Sequence, residues 1–374
     1  MRVVVASDKF KGTLTSAEVA EAVGAGVRRV CPDATVIAVP VADGGDGTLA
    51  AAVAAGYTLV PIVASGPTGE PVWSGYARLG DTAVVELADV SGLVRLPGGV
   101  LAPLTATSYG TGELIAAAVD AGCTRIILGI GGSASTDGGL GLIQALAGLS
   151  GNNSSLHGGK VPESEVPVAA LRRRLASVQV VVACDVDNPL TGPRGAAAVY
   201  GPQKGADPRQ VADLDAALAE WADAVAQATG RDLRDTPGAG AAGGVGFAAL
   251  ALLDAELRPG IDLVLEMVRF REQLAGADLI VTGEGALDEQ TLHGKAVAGV
   301  AAASDGRSVV AVCGVNRLRP DQLESIGVSA AYALTDVEPD VARCIAEPRP
   351  LLEVLGERIA SERLTMTRTE RGSA

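Results

Sequence analysis

Apolar and polar positions follow a strand–helix rhythm from the first residues. Arg2 to Ala6 is a short apolar run of the length of a buried strand. Thr15-Ser16-Ala17-Glu18 then makes a capping-box pattern, and Val19, Ala22, Val23, Val27 and Val30 follow at helical spacing. Thr35 to Val39 predicts a second strand. A strand–helix–strand opening implies a right-handed crossover and a parallel sheet. Further buried strands are predicted at Ile126 to Ile130, Val178 to Cys184, Leu279 to Thr282, Val309 to Cys313 and Ala330 to Leu334. Helical runs separate most of them. One spans Pro208 to Ala228, with Asp207 as its cap and Gly230 just past its end.

The rhythm changes over Tyr57 to Ala88. Short strands there are divided by Gly66-Pro67-Thr68-Gly69 and Gly80-Asp81, which read as antiparallel turns. The predicted class is α/β: a parallel-sheet Rossmann- or flavodoxin-like domain, and a second, inserted α/β domain containing antiparallel strands. The parallel domain is placed at residues 1–60, 106–148 and 270–374. The insert is placed at 61–105 and 149–269, with the active-site cleft expected between the two.

Composition narrows the class. The 374 residues are 48% hydrophobic but only 3% aromatic, as suits close packing of helices on sheets. The formal charge of −14 sets the surface against a nucleic-acid backbone, so no nucleic-acid partner is expected. No apolar run reaches the roughly 18 residues of a membrane span. The start, Met1-Arg2-Val3-Val4-Val5, lacks the shape of a signal peptide. The five cysteines are scattered, with no C-x-x-C pair, which argues against a disulfide framework or a structural zinc site. The reading is a cytoplasmic protein with no membrane partner.

Five polar, glycine-marked stretches sit where strands should end, and ligands of open parallel sheets bind beyond the carboxyl ends of strands. They are Ser7 to Thr13, Asp43-Gly44-Gly45-Asp46-Gly47-Thr48, Gly131-Gly132-Ser133-Ala134-Ser135-Thr136-Asp137-Gly138-Gly139, Asp185 to Gly192, and Gly283 to Asp288. In the third, a strand, a glycine turn and a helix start aim backbone N–H groups at one point, which attracts phosphate. Its Ser133, Ser135 and Thr136 hydroxyls add donors, and Asp137 is suited to a metal ion. Asp185 and Asp187 alternate along an extended segment, so both can face one way and suit magnesium. Glu284, between two glycines, suits either a helix cap or a metal.

Of the five lysines, Lys9 and Lys11 lie in the first stretch, Lys204 in a further glycine turn, Gly201-Pro202-Gln203-Lys204-Gly205, and Lys295 just after the fifth stretch. Cations beside glycine loops in an acidic protein point to phosphate or carboxylate binding. The Walker A pattern is absent. Gly129, Gly131 and Ala134 match G-x-G-x-x-A. However, no strand ending in an acidic residue follows about 20 residues on, so a dinucleotide site is disfavoured.

Taken together, these stretches resemble the type I glycerate kinases, the bacterial glycerate 2-kinase family. Phe10-Lys11-Gly12, Ala42 to Thr48, Ser108-Tyr109-Gly110-Thr111-Gly112-Glu113-Leu114, Gly131-Gly132-Ser133-Ala134 with Asp137-Gly138-Gly139, Ala183 to Gly192, Gly201-Pro202-Gln203-Lys204-Gly205-Ala206 and Thr282-Gly283-Glu284-Gly285 look like its blocks. The resemblance covers nearly the whole chain. It implies a two-domain protein that transfers the γ-phosphoryl group of ATP to glycerate, with magnesium, giving 2-phosphoglycerate. The chain departs from the family pattern at Ser7 and Lys9, at Ser135-Thr136, and over the polar stretch from Leu149 to Lys160.

The expected roles follow from that resemblance and from the residue chemistry. Gly131, Gly132, Ser133, Ser135, Asp137, Gly283 and Glu284 are assigned to ATP. Asp185, Asp187 and Glu284 are assigned to magnesium. Asp8, Lys11, Asp43, Arg194 and Lys204 are assigned to glycerate. Asp187, as proton acceptor, joins Lys11 and Lys204 as the catalytic set. Monomer and homodimer both fit. The rival readings are a kinase of another small hydroxy acid or polyol, and a non-catalytic nucleotide-binding regulator.

Overall fold

The computed structural model describes residues 1–10, 12–149, 166–293 and 295–365. Eleven strands occur among them: β1 (Arg2–Ser7), β2 (Thr35–Ala38), β3 (Thr58–Ser65), β4 (Pro71–Leu79), β5 (Thr82–Glu86), β6 (Arg125–Gly129), β7 (Gln179–Ala183), β8 (Glu256–Arg258), β9 (Leu279–Leu287), β10 (Val309–Asn316) and β11 (Ala330–Ala333). The chain forms two compact units. One is Met1–Asp43 with Ile261–Ala374; the other is Gly44–Gly260.

The first unit holds a five-stranded sheet in the order β11-β10-β9-β1-β2, parallel throughout. Helix α1 (Ser16–Val30) has the capping box read from the sequence: Thr15 accepts from the Glu18 amide while the Glu18 carboxylate accepts from the Thr15 amide. Its apolar stripe of Val19, Val23 and Val27 packs with Leu352, Leu355 and Ile359 of the helix Pro348–Ile359.

The second unit holds a six-stranded sheet in the order β3-β4-β5-β6-β7-β8. Its first two pairings are antiparallel and the rest are parallel. The antiparallel part is the segment whose turns broke the helical rhythm. Helices α2 (Thr48–Ala54), α3 (Ala88–Ser91), α4 (Tyr109–Asp120) and α5 (Leu140–Leu146) belong to this unit. Leu114 and Ile115 of α4 and Leu142 and Ile143 of α5 pack with Ile126 and Leu128 of β6 in one core. Helix Pro208–Thr229 builds a second core around Trp221, and a capping box of Asp207 with Gln210 starts that helix.

The partition differs from the expected one. The sequence predicts residues 1–60, 106–148 and 270–374 in one parallel domain, with the Ile126 strand beside that of Arg2 to Ala6. Instead β6 lies between β5 and β7, and the chain changes unit at Asp43–Gly44 and Gly260–Ile261. A strand buried on both faces reads as a plain apolar run, which carries no mark of its sheet. The connection decides: a crossover through α4 returns the chain beside β5, as consecutive strands usually do.

Candidate functional site

In the second unit the parallel register sets Glu86, Gly129, Ala183 and Arg258 in one row at the carboxyl ends of β5 to β8. The small residues of the row have a reason. The Gly44–Gly45 backbone lies across them. A Cβ on Gly129 would stand 2.7 Å from the Gly44 carbonyl oxygen, and one on Gly131 would stand 2.7 Å from the Gly45 Cα. Gly44 itself has φ +86°, and a Cβ there would lie 2.6 Å from the Gly260 Cα and 2.7 Å from the Ala183 Cβ. Asp185 completes the junction by accepting the Gly260 amide at 2.8 Å. The second and third glycine stretches therefore touch through their backbones, and the fourth begins beside them.

Only Gly131 and Gly132 of the third stretch reach its surface; Ser133 to Gly139 are buried. The Ser133 and Ser135 hydroxyls lie 3.2 Å apart and turn inward, and Ser133 also donates to the Ala242 carbonyl. Asp137, 4% exposed, accepts the amides of Gly139 (3.1 Å) and Gly141 (3.2 Å) at the start of α5. It also accepts the amide and hydroxyl of Ser108, each at 2.8 Å, at the start of α4. The anion drawn to this helix start is thus the protein's own carboxylate. That arrangement places Asp137 to hold two helix starts together, not to reach a ligand or metal as expected from sequence.

Lys204, 2% exposed, donates from Nζ to the Ser135 carbonyl within the same turn. Burial pushes its ammonium down to about 8, against the opposing charge of Asp137. It sits behind the turn as a buried cation, which differs from the open carboxylate clamp expected of it. Asp187 is the reverse case, with a side chain 75% exposed and paired with Arg194 at 3.2 Å. Asp187 and Arg194 thus meet each other at the surface, and both are reachable by a ligand.

The first unit carries the remaining residues. Asp8 follows β1 and donates its amide to the Gly283 carbonyl at 2.8 Å. Burial pushes the Asp8 carboxyl up to about 7, and the charges of Asp43 and Glu284 push the same way, against the Lys9 amide and ammonium. Burial also raises Glu284; its bond from the Thr291 hydroxyl (2.5 Å) and the Lys295 charge oppose, and Asp288 and Asp43 add to the rise. Asp8, Asp43 and Glu284 therefore act on one another, as their loop positions suggested. Lys11, expected in the substrate and catalytic sets, lies outside the described residues, as does nearly all of the unusual stretch after Leu149.

Among the described residues no three His, Cys, Asp or Glu side chains form a metal cluster. Magnesium does not require one, since it keeps waters and is held by one or two carboxylates with phosphate oxygens. The exposed Asp187, with Asp185 two residues before it, fits that modest demand. Glu284 lies in the other unit, half-buried and bonded to Thr291.

Sequence reasoning missed Glu86. It ends β5, is 5% exposed, and accepts the amides of Gly47 and Leu49. The available signal was a carboxylate ending the apolar run Ala83-Val84-Val85.

The glycerate kinase family model matches residues 3–364. The chain belongs to the glycerate kinase family. It is a kinase, an enzyme of phosphoryl transfer. Among its relatives, the glycerate kinase of Bacillus subtilis is 45% identical over 344 residues, covering 89% of this chain and 90% of that protein. The glycerate 2-kinase of Escherichia coli is 43% identical over 309 residues, covering 80% of this chain and 81% of that one. A solved structure described as glycerate kinase 2 from Salmonella typhimurium LT2 superposes with a TM-score of 0.78 at 36% identity, covering 99% of both chains. Among the described residues no helix is long and apolar enough to cross a membrane.

The family blocks acquire physical roles in this fold. In Ser108 to Leu114, Gly110 lets α4 approach the Ser65 carbonyl and Gly112 lets it approach α5 at the Leu142 carbonyl. Glu113 accepts the Ser65 amide at 2.6 Å. That block is therefore a packing device that fixes α4 beside the glycine turn.

Proposed function

We propose that this kinase transfers the γ-phosphoryl group of ATP to D-glycerate, giving 2-phosphoglycerate. The observation that carries the reading is the stacking of Gly44–Gly45 on Gly131 across the carboxyl ends of β6 and β7, in a chain of the glycerate kinase family. Parallel sheets bind ligands at such strand ends. The name of the Escherichia coli relative supports the 2-position.

Phosphoryl transfer asks a protein mainly for positioning and for neutralisation of charge. In this reading the exposed Gly131–Gly132 backbone faces the nucleotide phosphates. Asp137 and Lys204 keep the turn behind it in shape. Asp185 and Asp187 hold magnesium, whose part is to neutralise the phosphate oxygens. Arg194, exposed and paired with Asp187, is the candidate partner for the glycerate carboxylate. The hydroxyl proton needs an acceptor with affinity near the working pH. Asp8, held at about 7, suits that task better than the exposed Asp187 assigned from sequence. Five unpaired cysteines suit a reducing compartment, and we place the enzyme in the cytoplasm, as a monomer or homodimer.

A substrate panel tests the reading. ATP turnover with magnesium is expected to favour D-glycerate over glycerol and over lactate. Preference for glycerol would make the protein a polyol kinase, and ATP binding without turnover of any acceptor would make it a regulator.

A further inference from the structure

Glu86 stands apart from every residue assigned above, and its surroundings explain why a carboxylate occupies the end of an apolar strand. One of its oxygens accepts the Leu49 amide at 2.8 Å, and the Gly47 amide lies 3.2 Å from each oxygen. These are the first amides of α2, which need acceptors from outside the helix. Helices commonly meet this need with Ser, Thr, Asp or Asn at the capping position. Here that position is Gly47, with φ +101°, and the helix has no side-chain cap of its own. A residue carrying a side chain rarely adopts that backbone. The cap therefore comes from Glu86, far away in sequence but next to Gly129 in the sheet.

The consequence reaches beyond the helix. Thr48 closes the turn on itself, its hydroxyl donating to the Gly45 carbonyl at 2.7 Å. Gly45 packs against Gly131, and Gly44 against Ala183 and Gly260. Glu86 grips one end of this turn while close backbone contact seats the other. Removing the grip leaves the turn held at one end only.

We propose that Glu86 is a positioning residue for phosphoryl transfer, whose carboxylate fixes the Gly44–Thr48 turn over the carboxyl ends of β6 and β7. The proposal rests on the reading of those strand ends as the reaction site. The site pays for this arrangement in electrostatics. Burial pushes the Glu86 carboxyl up to about 7, and the Leu49 and Gly47 amides hold it down. Asp46, beside Gly47, and Asp89, on α3, raise it further. Asp89 is itself engaged by the Ser74 hydroxyl and the Arg95 guanidinium. Protonation turns one acceptor oxygen into a donor facing amides that are also donors. The grip is therefore firm above neutral pH and weak below it.

The test uses the full chain and the variant Glu86→Gln, which keeps the shape and cannot ionise. Wild type must first phosphorylate glycerate; failure there overturns the functional reading and says nothing against Glu86 as a cap. Given activity, kcat and KM are measured from pH 5.5 to 8.5, with thermal melting followed in parallel. A displaced turn is expected to lower kcat by roughly 10- to 100-fold at pH 8 while KM changes less. Protonated Glu86 resembles Gln and Asp8 titrates alike in both proteins, so the ratio of wild-type to variant kcat is expected to fall from that value at pH 8 towards 1 at pH 5.5. A variant with wild-type kcat at pH 8, or a ratio that stays constant from pH 8 to 5.5, overturns the proposal. Hydrogen exchange on wild type supplies a second reading that needs no variant. Protection of the Gly47 and Leu49 amides, corrected for intrinsic rate, should fall as pH drops from 8 to 6. Flat protection would also overturn it.

Discussion

The Lys204 ammonium donates to the Ser135 carbonyl from a fully enclosed position behind the glycine turn, with the Asp137 carboxylate as its opposing charge. Removing the ammonium leaves the buried Ser135 carbonyl without this donor, a loss of about 1–3 kcal/mol. Lys204→Met should lower the unfolding free energy by that order. The pH dependence has a definite sign. The native ammonium releases its proton near 8, whereas the unfolded one does so near 10.5. The unfolded state binds more protons between those values, so this residue adds stability as pH rises through that window. The gap between wild type and Lys204→Met, measured by urea unfolding, should shift in favour of wild type by roughly 1–3 kcal/mol from pH 8 to 10. A gap independent of pH would contradict the burial of that charge.

Asp137 predicts a different signature. Its carboxylate is shared by the starts of α4 and α5, so Asp137→Ala leaves the Ser108, Gly139 and Gly141 amides without their acceptor. The cost should be about 3–5 kcal/mol, with most of it recovered by no single substitution elsewhere. Urea unfolding reads the loss. Near-normal stability would mean that the carboxylate faces solvent or a ligand.

Asp8 should reveal a trade between stability and activity. Its native carboxyl, raised to about 7, binds a proton more tightly than the unfolded one at 3.8. Stability from this group is full below 3.8 and is lost as pH rises through 7. Asp8→Asn should therefore match wild type near pH 4 and exceed it at pH 8 by roughly 1–4 kcal/mol. The same variant should lose at least about 100-fold in kcat if Asp8 takes the hydroxyl proton. A variant that is active and no more stable would remove both claims.

Gly44 and Gly192 form a matched pair. Both have φ +86°, but Gly44 is enclosed by Gly260 and Ala183, while nothing lies within 4 Å of a Cβ on Gly192. Gly192→Ala should cost about 1 kcal/mol, the strain of the backbone alone. Gly44→Ala must also displace the turn, and kcat should fall roughly 100-fold. Equal effects at the two positions would show that the seating of the turn does not matter for the reaction.

The sequence was most legible where local physics decides. The Thr15–Glu18 capping box, the Asp207 cap and the strand runs appear where apolar spacing put them. Periodicity does not say which sheet claims a strand, so the Ile126 run reads as a neighbour of β1 although its partners are β5 and β7. The site was legible as a set of stretches but not as directions of side chains. Asp137 and Lys204 read as ligand contacts, because nothing local shows that two helix starts and a carbonyl already engage them. Glu86 was invisible for the opposite reason: the glycine that makes it necessary, Gly47, lies far away along the chain.

Phosphorus NMR of the product from ATP, magnesium and D-glycerate tests the central claim most directly. Phosphate on the 2-oxygen couples to a single carbon-bound proton and gives a doublet, whereas phosphate on the 3-oxygen couples to two and gives a triplet. The doublet is the predicted result, appearing as the γ-phosphate of ATP disappears. A triplet would place the transfer on the wrong hydroxyl, and ATP left intact beside glycerate would contradict the proposed reaction itself.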